Sequence, residues 1–232
     1  ENDLDLLESL AMQASLAIQN ARLHEEALER RAIERDLEFA KQVQMGFLPK
    51  SRPKIPGYIF GDYYEAALRV GGDYFDYIPL PDGRTAITIG DVAGKGVPGA
   101  LIMSRISSCV QNVMPFVHDP HEAIQKINNH MCANMVEGRF VTYQLIVLNT
   151  KTHRLRMVNA GHMSPMIRKP DGSIEEFPED IVGLPIGVME DFPYDVVERI
   201  VVNLSQQDEI GSLDVDAKHP LLCIAGAAIA RN

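Results

Sequence analysis

Over residues 3–47 the apolar positions recur at helical spacing, with no proline and no glycine before Gly46. Leu7, Ala14, Ala21 and Leu28 fall on every seventh position, with Leu10 and Ala17 on the same stripe. Ile33, Leu37, Ala40, Gln44 and Phe47 continue the rhythm in a shifted phase, and the shift falls near Arg30 and Arg31. A seven-residue apolar repeat predicts a helix of coiled-coil type, here with one discontinuity. The heavily charged stretch 25–35 fits a helix that bridges solvent, which favours pairing between two chains over packing on its own domain. At ~1.5 Å per residue such a helix spans on the order of 65 Å. Pro49, Pro53 and Pro56 end it and open a globular domain.

Beyond the prolines the pattern shortens to strand-like runs. Residues 58–67, 70–80 and 84–89 are rich in aromatic and β-branched side chains and read as strands. Pro81-Asp82-Gly83 is a turn signal, so the last two runs form a hairpin. Helical stripes return over 100–113, opened by Gly96-Val97-Pro98-Gly99, and over 119–135, where Ala123, Ile124, Ile127, Met131 and Met135 share a face. These two helices are expected to form an antiparallel pair on one face of a sheet. Further strands are predicted at 140–148, 154–159, 164–168 and 196–204, with a turn at 170–173 and a loop marked by Gly183, Pro185 and Gly187. Strands, two helices, then strands give an α+β layered architecture. The expected division is a helical linker at 1–48, one domain at 49–210 and a tail at 211–232.

Composition narrows the function classes. The 232 residues are 46% hydrophobic and 23% charged, ordinary for a globular domain with an appendage. A net charge of −10 argues against a nucleic-acid binder, whose footprint is basic. No apolar run is long enough to cross a membrane, and the start is no signal peptide. Cys109, Cys132 and Cys223 lack metal-ligand spacing and read as free buried thiols in a reducing, cytoplasmic setting. The sequence starts without Met inside a helical pattern, which suggests part of a longer protein.

The candidate chemistry lies in VGGDYFDYIPLPDGRTAITIGDVAGKGVPGA, residues 70–100. The hairpin brings Asp73 and Asp91 together from opposite ends of this segment. Two close carboxylates repel unless a cation lies between them, and Mg²⁺ and Mn²⁺ take carboxylate and carbonyl oxygen. The flanking glycines let backbone approach an ion or a phosphate closely. The stretch 90–95 is not a P-loop: its glycine spacing is one short, and Gly96 stands where Ser or Thr should follow Lys95. Lys95 is either a solvated loop lysine or a point charge for a phosphate. His162, in a Gly-His turn, reads as a turn residue rather than as half of a nucleophilic Ser-His pair.

Five pieces in order carry a family resemblance. They are AKQVQMGFLP at 40–49, VGGDYFD at 70–76, GDVAGKGVPGA at 90–100, NAGH at 159–162, and Pro165. Together they resemble the SpoIIE/RsbU branch of the PPM phosphatases, the metal-dependent, protein phosphatase 2C-like enzymes, over residues 34–208. The first two dozen residues also resemble the closing helix of a GAF sensor domain. The PPM resemblance implies an α–β–β–α sandwich with metals at one end between the sheets. It implies hydrolysis of phospho-Ser/Thr on a protein, with two Mn²⁺ or Mg²⁺ ions bridged by Asp91 activating the attacking water. Asp73 would hold one ion directly or anchor the layer around it, and the Val92 carbonyl would complete one ion's ligands. The implied substrate is a STAS-type anti-sigma-factor antagonist; the heptad pattern, not the resemblance, gives a homodimer through the coiled coil. The tail departs from the family. No Thr-Asp-Gly follows Gln206-Gln207-Asp208-Glu209-Ile210, and Asp214 and Asp216 stand near the expected aspartates without the glycine. An alternative is therefore a dimeric signalling module that keeps the fold without turnover, with weak ion binding.

Overall fold

A computed structural model describes residues 2–56, 58, 60–66, 68–117, 119–136, 138–168, 173–200 and 221–223, except for the side chains of 2–6, 168 and 221–223. The chain divides into two compact units, Glu1–Val43 and Gln44–Asn232. Helix α1, Asn2–Met45, runs unbroken through Arg30 and Arg31. In the first unit its apolar stripe faces solvent: Leu7 is 65% exposed, Leu10 53% and Leu28 51%.

The second unit holds the remaining elements in the order β1 (Tyr74–Pro79), β2 (Thr85–Val92), α2 (Gly96–Val113), α3 (Pro120–Cys132), β3 (Val141–Asn149), β4 (Arg154–Ala160), β5 (Met166–Arg168), β6 (Ile174–Glu176), β7 (Val182–Gly183), β8 (Val197–Ile200) and β9 (Leu221–Cys223). The main sheet runs β1-β2-β3-β4-β7, with β8 also paired to β4; a small sheet runs β6-β5-β9. The hairpin closes through the Leu80 N–H on the Arg84 carbonyl at 2.8 Å and the Gly83 N–H on the Leu80 carbonyl at 3.0 Å.

Strand alternation separates two cores. Tyr74, Ile78, Ala86, Leu145, Val147 and Val158 face α2 and α3, where Met103, Ile106, Val110, Ile124, Ile127 and Met131 are buried at helical spacing. Ile146, Leu148, Leu155 and Met157 point the other way, onto Ile167 and Phe177 of the small-sheet region. Each large side chain buried in this way stabilises by roughly 1.5–3 kcal/mol. Helix, sheet and sheet are thus stacked in an α+β arrangement, and among the described residues no second helical layer covers the small sheet. Helix α3 starts where Asp119 accepts from the His121 N–H at 2.9 Å and the Glu122 N–H at 3.3 Å, with proline in the first turn.

Several boundaries differ from expectation. The described residues of 58–67 form no strand. They are tied to the sheet by side chains instead: Tyr58 Oη lies 2.6 Å from His153 Nδ1, Phe60 packs edge-on to Tyr77, and Tyr77 Oη donates to the Gly61 carbonyl at 3.3 Å. Gly61 and Asp62 interrupt the alternation that a ladder needs. The helix expected to reach residue 135 ends at Cys132, and the strand expected from 164 starts at Met166. Cys109 is buried, but Cys132 is only half-buried; the Cys223 side chain lies outside the described residues. Gln206, Asp208, Asp214 and Asp216 also lie outside them.

Candidate metal centre

The β1–β2 register pairs Tyr74 with Gly90, and every pair steps one residue back on one strand for one forward on the other. Continued outward it sets Asp73 opposite Asp91 and Gly72 opposite Val92. The Val92 N–H donates to the Gly72 carbonyl at 3.4 Å, so that pair is the hydrogen-bonded one. Asp73 and Asp91 then occupy the close, non-bonded kind of position, with Cα atoms about 4.5 Å apart. Both side chains project from the sheet face opposite α2 and α3.

The electrostatics follow from that placement. Asp73 is pushed up to about 7 by burial, then by the charge of Asp91, then by the hydrogen bond the two carboxyl groups share. The Tyr64 hydroxyl is buried beside them without a hydrogen-bond partner among the described residues. Its pKa is raised by burial and then by the Asp73 charge. A crowded acid pair next to an orphaned hydroxyl suits a bound hard cation, whose charge offsets the repulsion. The donors present are two carboxylates and a neighbouring carbonyl. Among the described residues no third His, Cys, Asp or Glu joins them. The residues therefore fit an ion whose remaining ligands come from water or from elsewhere.

Gly72 makes the close approach possible. A Cβ there would lie 3.0 Å from Val92 Cβ and 3.1 Å from the Val92 carbonyl oxygen. The preceding residue is clamped from the last turn of α1, within the second unit. Gln44 Nε2 donates to the Gly71 carbonyl at 2.6 Å, and the Gly71 N–H donates to Gln44 Oε1 at 3.0 Å. Gln44 is 4% exposed. The heptad reading placed it on a coiled-coil stripe; its side chain is instead buried against the aspartate loop. An amide in an otherwise apolar stripe, two residues before the helix-ending Gly46, was the available signal.

The other singled-out residues divide. Lys95 is exposed and precedes the first residue of α2. His162 is a turn residue, as read, but it is buried. Its Nδ1 lies 2.9 Å from Thr142 Oγ1, on the strand next to Asp91. Arg139, which sequence reasoning missed, donates through Nη1 to the Ala93 carbonyl at 2.8 Å and braces the loop after Asp91. Asp76, the other acid of the hairpin, faces the opposite side of the sheet. It accepts from the Tyr77 N–H, the Tyr74 hydroxyl and Gln111 Nε2. A cleft of about 390 Å³ opens there, lined by Phe47, Leu48, Ser107 and Gln111 among others, and is separate from the Asp73–Asp91 pair.

Comparison with known proteins agrees with this fold. The SiaA-PP2C domain of Pseudomonas aeruginosa has a similar fold, with a TM-score of 0.62 at 20% identity over 75% of this chain and 69% of that one. Phosphoserine phosphatase RsbU of Bacillus subtilis is 27% identical over 130 residues, which cover 56% of this chain and 38% of the relative. Phosphoserine phosphatase RsbP of the same organism is 27% identical over 144 residues, 60% of this chain and 35% of the relative. The chain thus spans well under half the length of these two relatives. The model of the family described as Stage II sporulation protein E (SpoIIE) matches residues 81–205. That match covers more than half of the sequence and includes Asp91, Thr142 and His162, so this chain belongs to the SpoIIE family.

Proposed function

We propose that this chain is a PPM-type phosphatase domain that hydrolyses phospho-Ser/Thr on a protein substrate. The observation that carries this reading is the Asp73–Asp91 carboxyl pair, aligned by the hairpin register and crowded enough to raise Asp73 to about 7. Asp91 would bridge Mn²⁺ or Mg²⁺ ions, Asp73 would hold one of them or its hydration layer, and the Val92 carbonyl would add an oxygen. Such ions supply Lewis acidity and an activated water for attack on phosphorus. The chain's own part is to hold the acid pair aligned: the hairpin sets its spacing and Gly72 admits the Val92 carbonyl. The relatives named phosphoserine phosphatases support this activity and do not favour the rival, a module without turnover.

The rest of the assignment is finer. The substrate is a phosphorylated STAS-type antagonist in a partner-switching pathway, and an upstream GAF-like sensor controls turnover. The exposed leucine stripe of α1 is the surface for a parallel homodimer in the cytoplasm. The domain runs over 49–210 between a 1–48 linker and a 211–232 tail. Asp91→Asn tests the core of the reading, since a neutral amide cannot offset cations sharing one carboxylate. The variant should fold normally, as judged by circular dichroism, and lose Mn²⁺-dependent hydrolysis of a phosphoprotein. Activity within a few-fold of wild type would refute the metal bridge.

A further inference from the structure

The row of side chains that begins with Asp73 and Asp91 continues across β3. Thr142 is the partner of Asp91 in the β2–β3 ladder, and such partners share a face. Its hydroxyl lies 3.4 Å from the Asp91 carbonyl oxygen, to which it donates, and 2.9 Å from Nδ1 of His162. The peptide group joining Asp91 to Val92 is therefore held at both ends: Thr142 takes its oxygen, and the Gly72 carbonyl takes its N–H at 3.4 Å. Rotation of that peptide would swing the Asp91 side chain and the Val92 carbonyl together.

His162 is fixed independently of the Asp73–Asp91 pair. It is 7% exposed. One side chain grips its backbone on both sides: Asn159 Oδ1 accepts from the His162 N–H at 2.8 Å, and Asn159 Nδ2 donates to the His162 carbonyl at 2.9 Å. The turn between them is open only to glycine. Gly161 has φ +72°, and a Cβ there would meet Pro185 Cγ at 2.6 Å. The imidazole is thus placed before any ion arrives. A threonine hydroxyl has one hydrogen. With that hydrogen directed at the Asp91 carbonyl, Nδ1 must carry its own and donate it to Oγ1, which sets the side of the ring that faces the strand.

We propose that His162 is a positioning residue for the divalent ion at Asp91, acting through the Thr142 hydroxyl to fix the Asp91–Val92 peptide. The inference rests on the reading that Asp91 holds metal. It assigns His162 no contact with substrate or ion. Partners that orient a metal ligand are typically worth roughly 10- to 100-fold in metal affinity.

The test is calorimetric titration of Mn²⁺ into the whole chain, with no turnover required. His162→Ala and Thr142→Val should each weaken binding by about 10- to 100-fold. The double variant should be no weaker than the worse single one, because both remove the same brace. His162→Asn should recover most of the affinity, since its side-chain amide nitrogen can stand where Nδ1 stood, and Thr142→Ser should bind like wild type because the hydroxyl is kept. Should His162→Ala fail to fold, Thr142→Val against Thr142→Ser decides the question. Asp91→Asn separates the two levels. If it abolishes binding while Thr142→Val stays within twofold of wild type, the brace is refuted and the metal reading stands. If Asp91→Asn binds Mn²⁺ as tightly as wild type, both are refuted. Lowered thermal midpoints with unchanged Mn²⁺ affinity, or weakened affinity that His162→Asn does not rescue, would mark His162 as merely structural and overturn the proposal.

Discussion

Replacing Gln44 with leucine tests whether the end of α1 holds the aspartate loop. Gln44→Leu keeps the approximate volume and removes both hydrogen bonds to Gly71, one donated at 2.6 Å and one accepted at 3.0 Å. Gly71 is itself buried, so its N–H and carbonyl would be left without partners. Each orphaned backbone group costs about 1–3 kcal/mol, and the apolar gain of leucine returns about 1 kcal/mol, leaving a loss of roughly 1–5 kcal/mol. That is a large share of the ~5–15 kcal/mol that holds a typical domain together. Urea unfolding followed by circular dichroism reads the loss directly; intrinsic tryptophan fluorescence is excluded because the chain has no Trp. Gln44→Glu refines the test. At pH 8 the introduced carboxylate can accept from the Gly71 N–H but cannot donate to its carbonyl, so one bond is lost and a charge is buried. Protonation restores the donor. Its folded pKa is therefore raised, and its stabilising contribution is present at low pH and lost as pH rises through that value. Gly71 lies two residues before Asp73 and adjoins Gly72, so the same variants should weaken Mn²⁺ binding by about 10-fold or more. A stability change under about 0.5 kcal/mol for Gln44→Leu, the size of an ordinary surface substitution, would refute the reasoning.

Three further outcomes are expected. Asp73 is raised to about 7, so in the metal-free protein its contribution to stability is present below the unfolded value near 3.8 and declines as pH rises toward 7. Thermal unfolding between pH 4 and 8 should show this slope, and Asp73→Asn should flatten it; an unchanged slope would show that burial and the Asp91 charge do not raise Asp73. Protons compete with the ion over the same range, so apparent Mn²⁺ affinity should fall as pH drops below about 7. Leu10→Lys with Leu28→Lys, both on the exposed stripe, should convert a dimer to monomer by light scattering with the helical signal of the second unit intact; a dimer that persists would place the interface elsewhere. Ile127→Ala, fully buried between α3 and the sheet, should cost about 2–5 kcal/mol and leave the Mn²⁺ stoichiometry unchanged.

The sequence by itself determined what depends on neighbours along the chain. Turn chemistry at Pro81-Asp82-Gly83 joined two β-rich runs, and that pairing sets Asp73 against Asp91 because antiparallel register is counted outward from the turn. The helical stripes of α2 and α3 and the Asp119 cap were equally local. What only the tertiary structure decided involves partners far apart in sequence. Residues 58–67 have strand-like composition, yet side-chain contacts with Tyr77 and His153 hold the described ones instead of a ladder, since strand propensity measures fit to a surface rather than possession of a paired neighbour. Gln44 belongs to a heptad in sequence, but Gly71, 27 residues on, determines where its amide goes. His162 looks like one more turn residue until β3 brings Thr142 to its ring, 20 residues back along the chain. Periodicity records which face a residue occupies. The group that waits on that face is set by packing, because a hydrogen bond needs two partners and the sequence pattern describes one at a time.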